Sequence, residues 1–148
     1  MSTYTQILYQ IVFGTKYRAM TLTKTQRPEL FHYISGLIIS RKCKLYCING
    51  IENHIHIITH LHPSVSLSSL VKDIKLASSK YIKEQKLFPL FNGWQVGYSA
   101  FTYSQDAKKN LINYVRNQET HHRKITFTDE YHNLLKEHGL EYDENFPI

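Results

Sequence analysis

The stretch Asn53-His54-Ile55-His56-Ile57-Ile58-Thr59-His60-Leu61-His62 constrains this chain more than any other. Its β-branched residues favour a strand, and strand side chains alternate faces with period two. His54 and His56 therefore share one face, while Ile55 and Ile57 point the opposite way into a core. Two imidazoles held close together on a rigid strand make half of a divalent-metal site. His60 and His62 repeat the His-aliphatic-His pattern with the same parity, so spacing alone leaves the choice of pair open. A core in which all four histidines are structural also satisfies the pattern.

The segments around this strand specify a fold. Thr5 to Phe13 is rich in β-branched and aromatic residues and predicts a first strand, ended by Gly14. Leu30, Phe31, Ile34, Leu37 and Ile38 recur at helical spacing. They predict a helix from Gln26 to Arg41, with Thr25 as its cap and Pro28 in its first turn. Leu45 to Asn49 predicts a strand, and Gly50 to Asn53 a turn into the histidine strand, which Pro63 stops. Ser66 or Ser68 caps a helix to about Gln85. Tyr98 to Tyr103 predicts a fourth strand. Ser104 or Asp106 caps one helix from Ala107 to about His121, and a shorter helix runs from Asp129 to His138. The resulting order is βαββαβ, an α+β ferredoxin-like sandwich: an antiparallel sheet with helices on one face and an added C-terminal helix free to cross the other. A chain of 148 residues without repeats or long linkers predicts a single domain, residues 1-148, with a core of about 4-124 and an extension of 125-148.

Charge narrows the partner class. The formal net charge is +6, which suits a polyanion, and the 11 Tyr and 7 Phe suit base stacking as well as core packing. Cys43 and Cys47 are too widely spaced along a strand for an ordinary disulfide and read as reduced thiols, although a Cys-x-x-x-Cys zinc half-site has the same spelling. The absence of a signal-like N-terminus and of a long apolar run predicts a cytoplasmic protein with no membrane partner.

The predicted helix beyond the fourth strand supplies what a histidine pair lacks. Tyr114 and Gln118 are four residues apart and lie one above the other on one helical face. A Gln amide oxygen is a hard neutral ligand suited to Mg2+ or Mn2+. A phenol beside such a metal is a nucleophile able to attack a phosphodiester. The resulting phosphotyrosine conserves the energy of the broken ester, so rejoining needs no ATP. His121 and His122 are additional candidates near the helix end, where histidine also complements the helix dipole.

Three segments carry a family resemblance. Glu52-Asn53-His54-Ile55-His56-Ile57-Ile58 resembles the HUH motif, in which U is a bulky apolar residue. Trp94-Gln95-Val96-Gly97-Tyr98-Ser99-Ala100-Phe101 resembles the segment before the catalytic helix of the same family. Asn113-Tyr114-Val115-Arg116-Asn117-Gln118-Glu119-Thr120-His121-His122-Arg123-Lys124 resembles its catalytic tyrosine helix. Together they are similar to the single-tyrosine HUH transposases of bacterial and archaeal insertion sequences, the IS-two-hundred-like group, and to their domesticated relatives. The resemblance implies that His54, His56 and Gln118 bind Mg2+ or Mn2+ and that Tyr114 is the nucleophile. It selects His54 and His56 over His60 and His62, because the family's motif opens its strand directly after a turn.

It further implies an HUH endonuclease and strand transferase of DNA transposition and recombination. Its substrate would be single-stranded DNA with hairpin ends, cut through a 5′-phosphotyrosine, with no small-molecule substrate. The family's homodimers join sheets edge to edge and can share composite active sites. Expected DNA contacts are Lys16, Arg18, Lys72, Lys75, Arg116, Arg123 and Lys124. Two alternatives stand beside this reading: a domesticated nuclease of genomic palindromic repeats, and a non-catalytic ferredoxin-like nucleic-acid-binding module.

Overall fold

The computed structural model describes residues 2–141. Four strands form one antiparallel sheet: β1 (Leu8–Gly14), β2 (Lys44–Ile51), β3 (His54–His60) and β4 (Ser99–Tyr103). Their order is β2-β3-β1-β4, so the histidine strand is central, as the βαββαβ reading requires. The period-two alternation on β3 divides the molecule. Ile55, Ile57 and Leu61 face the larger core, with Ile34 and Ile38 of α1 (Arg27–Ser40) and Leu70 and Ile74 of α2 (Leu67–Gln85). His54, His56 and Ile58 face the other way.

The helices after β4 cover that second face. A short 3-10 turn, Gln105–Ala107, leads into α3 (Lys108–Arg116), α4 (Gln118–His121) and α5 (Phe127–Glu137). Leu111 and Val115 of α3 pack on Leu8 and Ile58, whereas Phe127, Tyr131 and Leu134 of α5 pack on Val12 and Phe101. The sheet is therefore a middle layer with helices on both faces. The last part of the sequence-predicted short helix (Asp129 to His138) lies just past α5, with His138 as its C-cap residue.

Local differences from expectation have identifiable causes. The predicted helix from Ala107 to His121 is broken at Asn117, whose backbone (φ −96°, ψ 21°) leaves the α region. Asn49 of β2 explains the break: its side-chain amide donates to the Val115 and Arg116 carbonyls at 3.0 and 3.1 Å, ending α3 as a C-cap would. Neither Ser104 nor Asp106 caps that segment by its side chain. Thr25 does not cap α1 either; the Gln26 and Arg27 amides donate to the Thr23 carbonyl instead. Ser66 does cap α2, accepting from the Ser69 amide. Cys43 and Cys47 are free thiols.

The hairpin that presents the histidines is tight. Ile51 pairs with His54, leaving only Glu52 and Asn53 as the connection. Gly50 is needed here because a Cβ at that position would lie 2.2 Å from the His54 carbonyl oxygen. The segment Trp94-Gln95 holds the neighbouring strand end. Trp94 bridges Thr15 and sets its ring edge-on to Phe13 at 5.0 Å, and the Gln95 side chain accepts from the Gly14 amide at 2.7 Å. Gly14 pairs with His54, so this motif buttresses the start of β3. Arg27, buried at the start of α1, bonds Leu22 and reaches Glu52 of the turn and Glu119 of α4.

Gly50→Ala is expected to destabilise the protein by about 1–3 kcal/mol through overpacking against backbone. Gly36→Ala, in open space within α1, is expected to stabilise it by roughly 0.5–1 kcal/mol. Paired denaturant unfolding curves check both signs.

Candidate active site

His54 and His56 are fully buried and meet at 5.1 Å between ring centroids. Phe127 stacks on His54 at 3.8 Å and fixes its plane. Each ring is also held from behind. Asn53 Oδ1 lies 2.8 Å from His54 Nδ1, so that nitrogen donates and Nε2 is turned toward the site. His56 Nδ1 lies 2.9 Å from the Gln10 side-chain nitrogen, and Gln10 in turn accepts from the Tyr103 hydroxyl at 2.7 Å.

The helices beyond β4 bring Tyr114 and Gln118 to this pair. Gln118 is buried, and its Oε1 lies 3.1 Å from His54 Nε2. The Tyr114 ring stands 6.0 Å from that of His56. His54, His56, Gln118 and Tyr114 of the one chain therefore lie together. Although α3 and α4 are separate pieces, the break at Asn117 preserves the expected approach of Tyr114 and Gln118.

Sequence reasoning missed the residue at the centre. Glu130 of α5 is only 2% exposed. Its Oε1 lies 3.2 Å from His54 Nε2, 3.1 Å from His56 Nε2 and 3.0 Å from His122 Nε2. Its Oε2 accepts from the Tyr114 hydroxyl and, at 3.1 Å, from the Gln118 side-chain nitrogen. His121 Nε2 is 3.3 Å from the same oxygen. A faint signal existed: Glu130 sits between Phe127, Tyr131 and Leu134 on the apolar side of a helix capped by Thr126. An acid in a first turn ordinarily complements the dipole and stays in water. Here it is inside. His121 and His122, candidates without a role in the sequence, both join this cluster.

Burial and charge set the protonation states. Burial draws the His54 imidazole down to about 4, so the ring is neutral at neutral pH. Burial pushes the Tyr114 phenol far above its ordinary range, and the adjoining Glu130 carboxylate adds to this. Burial would raise Glu130, but the His122, His54 and His56 rings outweigh it and hold the carboxyl well below the usual range. The site is a carboxylate enclosed by imidazoles, with a protonated phenol against it.

The donor set fits a divalent ion. Imidazole nitrogens, a carboxylate and an amide oxygen converge, and one ligand atom each of His54, His122 and Glu130 lies within 4.8 Å of the others. Two openings reach the cluster. A cavity of about 340 Å³ is lined by Tyr114, His121, Gln10 and Tyr103. Another, of about 290 Å³, is lined by His122, Arg123, Arg27 and Glu52.

The basic residues separate by face. Arg116, Arg123 and Lys124 are exposed on or between the helices that cover the histidines. Lys16 and Arg18 lie just past the β1 end that pairs with His54, and Arg18 donates to Thr128 of α5 at 2.5 Å. Lys72 and Lys75 lie on α2, across the sheet. The Lys75 ammonium donates to the Gln95 and Gly97 carbonyls over the Phe13 ring. His60 contacts Thr5 and the Ile7 backbone, and His62 contacts Ser64, so both stand apart from the cluster.

Residues 3–118 match the family described as "Transposase IS200 like". The chain belongs to this family. An IS200-like transposase is a DNA-processing enzyme acting in DNA transposition, and the match supports a tyrosine transposase. Two solved structures share the fold. One is a Deinococcus radiodurans R1 protein assigned as a transposase: TM-score 0.59, 20% identity, covering 80% of this chain and 95% of that one. The other is a REP-associated tyrosine transposase bound to a REP hairpin: TM-score 0.61, 18% identity, covering 84% of this chain and 76% of that one. No curated protein matches the sequence. No helix among the described residues is long and apolar enough to cross a membrane.

Asn49→Ala removes the side-chain donor that the Val115 and Arg116 carbonyls share. It is expected to cost about 1–2 kcal/mol and to raise amide exchange across residues 115–121, as read by hydrogen–deuterium exchange.

Proposed function

We propose that this transposase nicks and rejoins single-stranded DNA through a 5′-phosphotyrosine, with Tyr114 as nucleophile and His54, His56 and Gln118 as ligands of Mg2+ or Mn2+. The observation that carries the reading is the convergence, in one chain, of Tyr114 and Gln118 on the two buried histidines of β3. The phenol oxygen attacks the scissile phosphorus and forms a P–O bond to the tyrosine. The bond to the leaving oxygen breaks, releasing a free 3′-OH, and the phenol proton departs to a base. When bound, the ion polarises the phosphate and stabilises the leaving oxygen.

The chain's own residues orient these groups. Asn53 and Gln10 fix the two imidazole planes, and Phe127 closes the His54 side against water. Glu130 holds the Tyr114 hydroxyl at the site and is the nearest acceptor for its proton. Rejoining reverses the sequence, with a 3′-OH attacking the phosphotyrosine.

The DNA strand approaches the helix-covered face, where Arg116, Arg123 and Lys124 are exposed, with Lys16 and Arg18 at its margin. Such contacts weaken with salt. The hairpin carried by the REP-associated relative supports a folded DNA end as the recognised element. Assembly as a homodimer and a cytoplasmic location belong to the same proposal, as does a single domain spanning residues 1-148.

Tyr114→Phe is expected to abolish the covalent protein–DNA adduct on a denaturing gel while single-stranded DNA binding persists. An adduct formed by that variant would remove Tyr114 as nucleophile. His56→Ala is expected to lose both divalent-ion binding and cleavage. A wild type that binds no ion and cuts no strand would favour the non-catalytic module.

A further inference from the structure

The geometry points to an anionic metal shell that extends past the family-matched residues: His122 and Glu130 join His54 as direct ligands of the divalent ion. This rests on the proposed metal-dependent reading and adds two ligands to it.

The ring nitrogen that each histidine turns inward decides which atoms can bind, because its other nitrogen is already engaged behind it. His122 Nδ1 lies 2.8 Å from the Ile125 carbonyl oxygen, which can only accept. His122 Nε2 lies 3.0 Å from Glu130 Oε1. His54 repeats the arrangement. Its Nδ1 faces Asn53 Oδ1 at 2.8 Å, and its Nε2 lies 3.2 Å from Glu130 Oε1. The Gln118 amide is oriented as well, because its nitrogen donates to Glu130 Oε2, so Oε1 is the atom facing His54. Two ring nitrogens and two oxygens from four side chains thus converge.

Such a set of nitrogen and oxygen donors suits a divalent cation. Ligand atoms of His54, His122 and Glu130 are within 4.8 Å of one another, a span one ion can bridge. His56 Nε2 lies 3.1 Å from the same Glu130 oxygen, and the Gln10 amide stands 2.9 Å behind its Nδ1.

The chemistry of this shell selects among ions. Mg2+ prefers oxygen ligands in a strict octahedron, whereas imidazole nitrogens with one carboxylate suit Mn2+, Co2+ or Zn2+. The carboxylate also brings a negative charge that the His54, His56 and Gln118 set lacks. It makes α5 part of the active site rather than a cover for the sheet.

The test is titration of the full-length wild type, Glu130→Gln, His122→Gln and Lys83→Ala with Mn2+, by calorimetry and by loss of the free-ion paramagnetic resonance signal. Glu130→Gln keeps the size of the side chain, and far-UV circular dichroism checks folding. The expected result is tighter binding of Mn2+ than of Mg2+ by the wild type, and binding weakened roughly 10- to 100-fold or more in both site variants. Lys83→Ala, exposed on α2, is expected to bind as the wild type does. Co2+ bound to the wild type should show visible bands that change in energy or intensity in Glu130→Gln.

Wild-type affinity in both site variants, with binding lost in His56→Ala, would overturn this inference and leave the proposed function standing. Tighter binding in Glu130→Gln would also overturn it, making the carboxylate a plug of the site. A wild type that binds no divalent ion would overturn both.

Discussion

Everything at the functional end of this molecule depends on the burial of two imidazoles on a central strand. A buried histidine is tolerated only when both ring nitrogens have partners and the ring is packed. On β3 the partners come from unrelated segments: Asn53 from the turn, Gln10 from β1, Gln118 from α4 and Glu130 from α5. The same alternation that turns the histidines to one face turns Ile55 and Ile57 to the other, where α1 and α2 close the larger core. One strand thereby satisfies a polar site and an apolar core at once. A slip of one residue in its register would exchange them.

The connection between site and sheet is made by a few buried polar contacts. Asn49 on β2 stops α3 beside His56, its cross-strand neighbour. Arg27 bridges the hairpin turn and α4 by way of Glu52 and Glu119, both partly exposed. Trp94 and Gln95 lock the end of β1 that flanks His54. These contacts give a physical meaning to the Trp-Gln segment of the motif: it is a brace for the histidine strand.

Most of the sheet and the first two helices were legible because their signals are local. β-branched and aromatic content marked β1, period-two alternation marked β3, period-3.6 apolar residues marked α1 and α2, and Ser66 marked a helix start. The break at Asn117 was not legible. Val115-Arg116-Asn117-Gln118 holds neither Gly nor Pro, and its cause is a side chain 66 residues away. The grouping of His54, His56, Tyr114 and Gln118 came from the family resemblance, because spacing alone left His60 and His62 as rivals, whereas Glu130 had no such pointer. An acid in the first turn of a capped helix is commonplace, and only the packing of Phe127 and Tyr131 on the sheet carries it inward. Lys75 shows another such contact: its ammonium already donates to the Gln95 and Gly97 carbonyls, which its charge alone did not indicate.

The placement of α5 bears on how such a chain can be shortened. The family match ends at residue 118, which makes the remainder look dispensable. Cutting there would remove His121, His122 and Glu130 from around the histidine pair. It would also strip Phe127, Tyr131 and Leu134 from Val12 and Phe101, baring apolar surface on the middle of the sheet. A fragment trimmed to the family boundary would be a sticky, acid-free remnant of the enzyme. The smallest unit that carries the whole site ends no earlier than the last turn of α5.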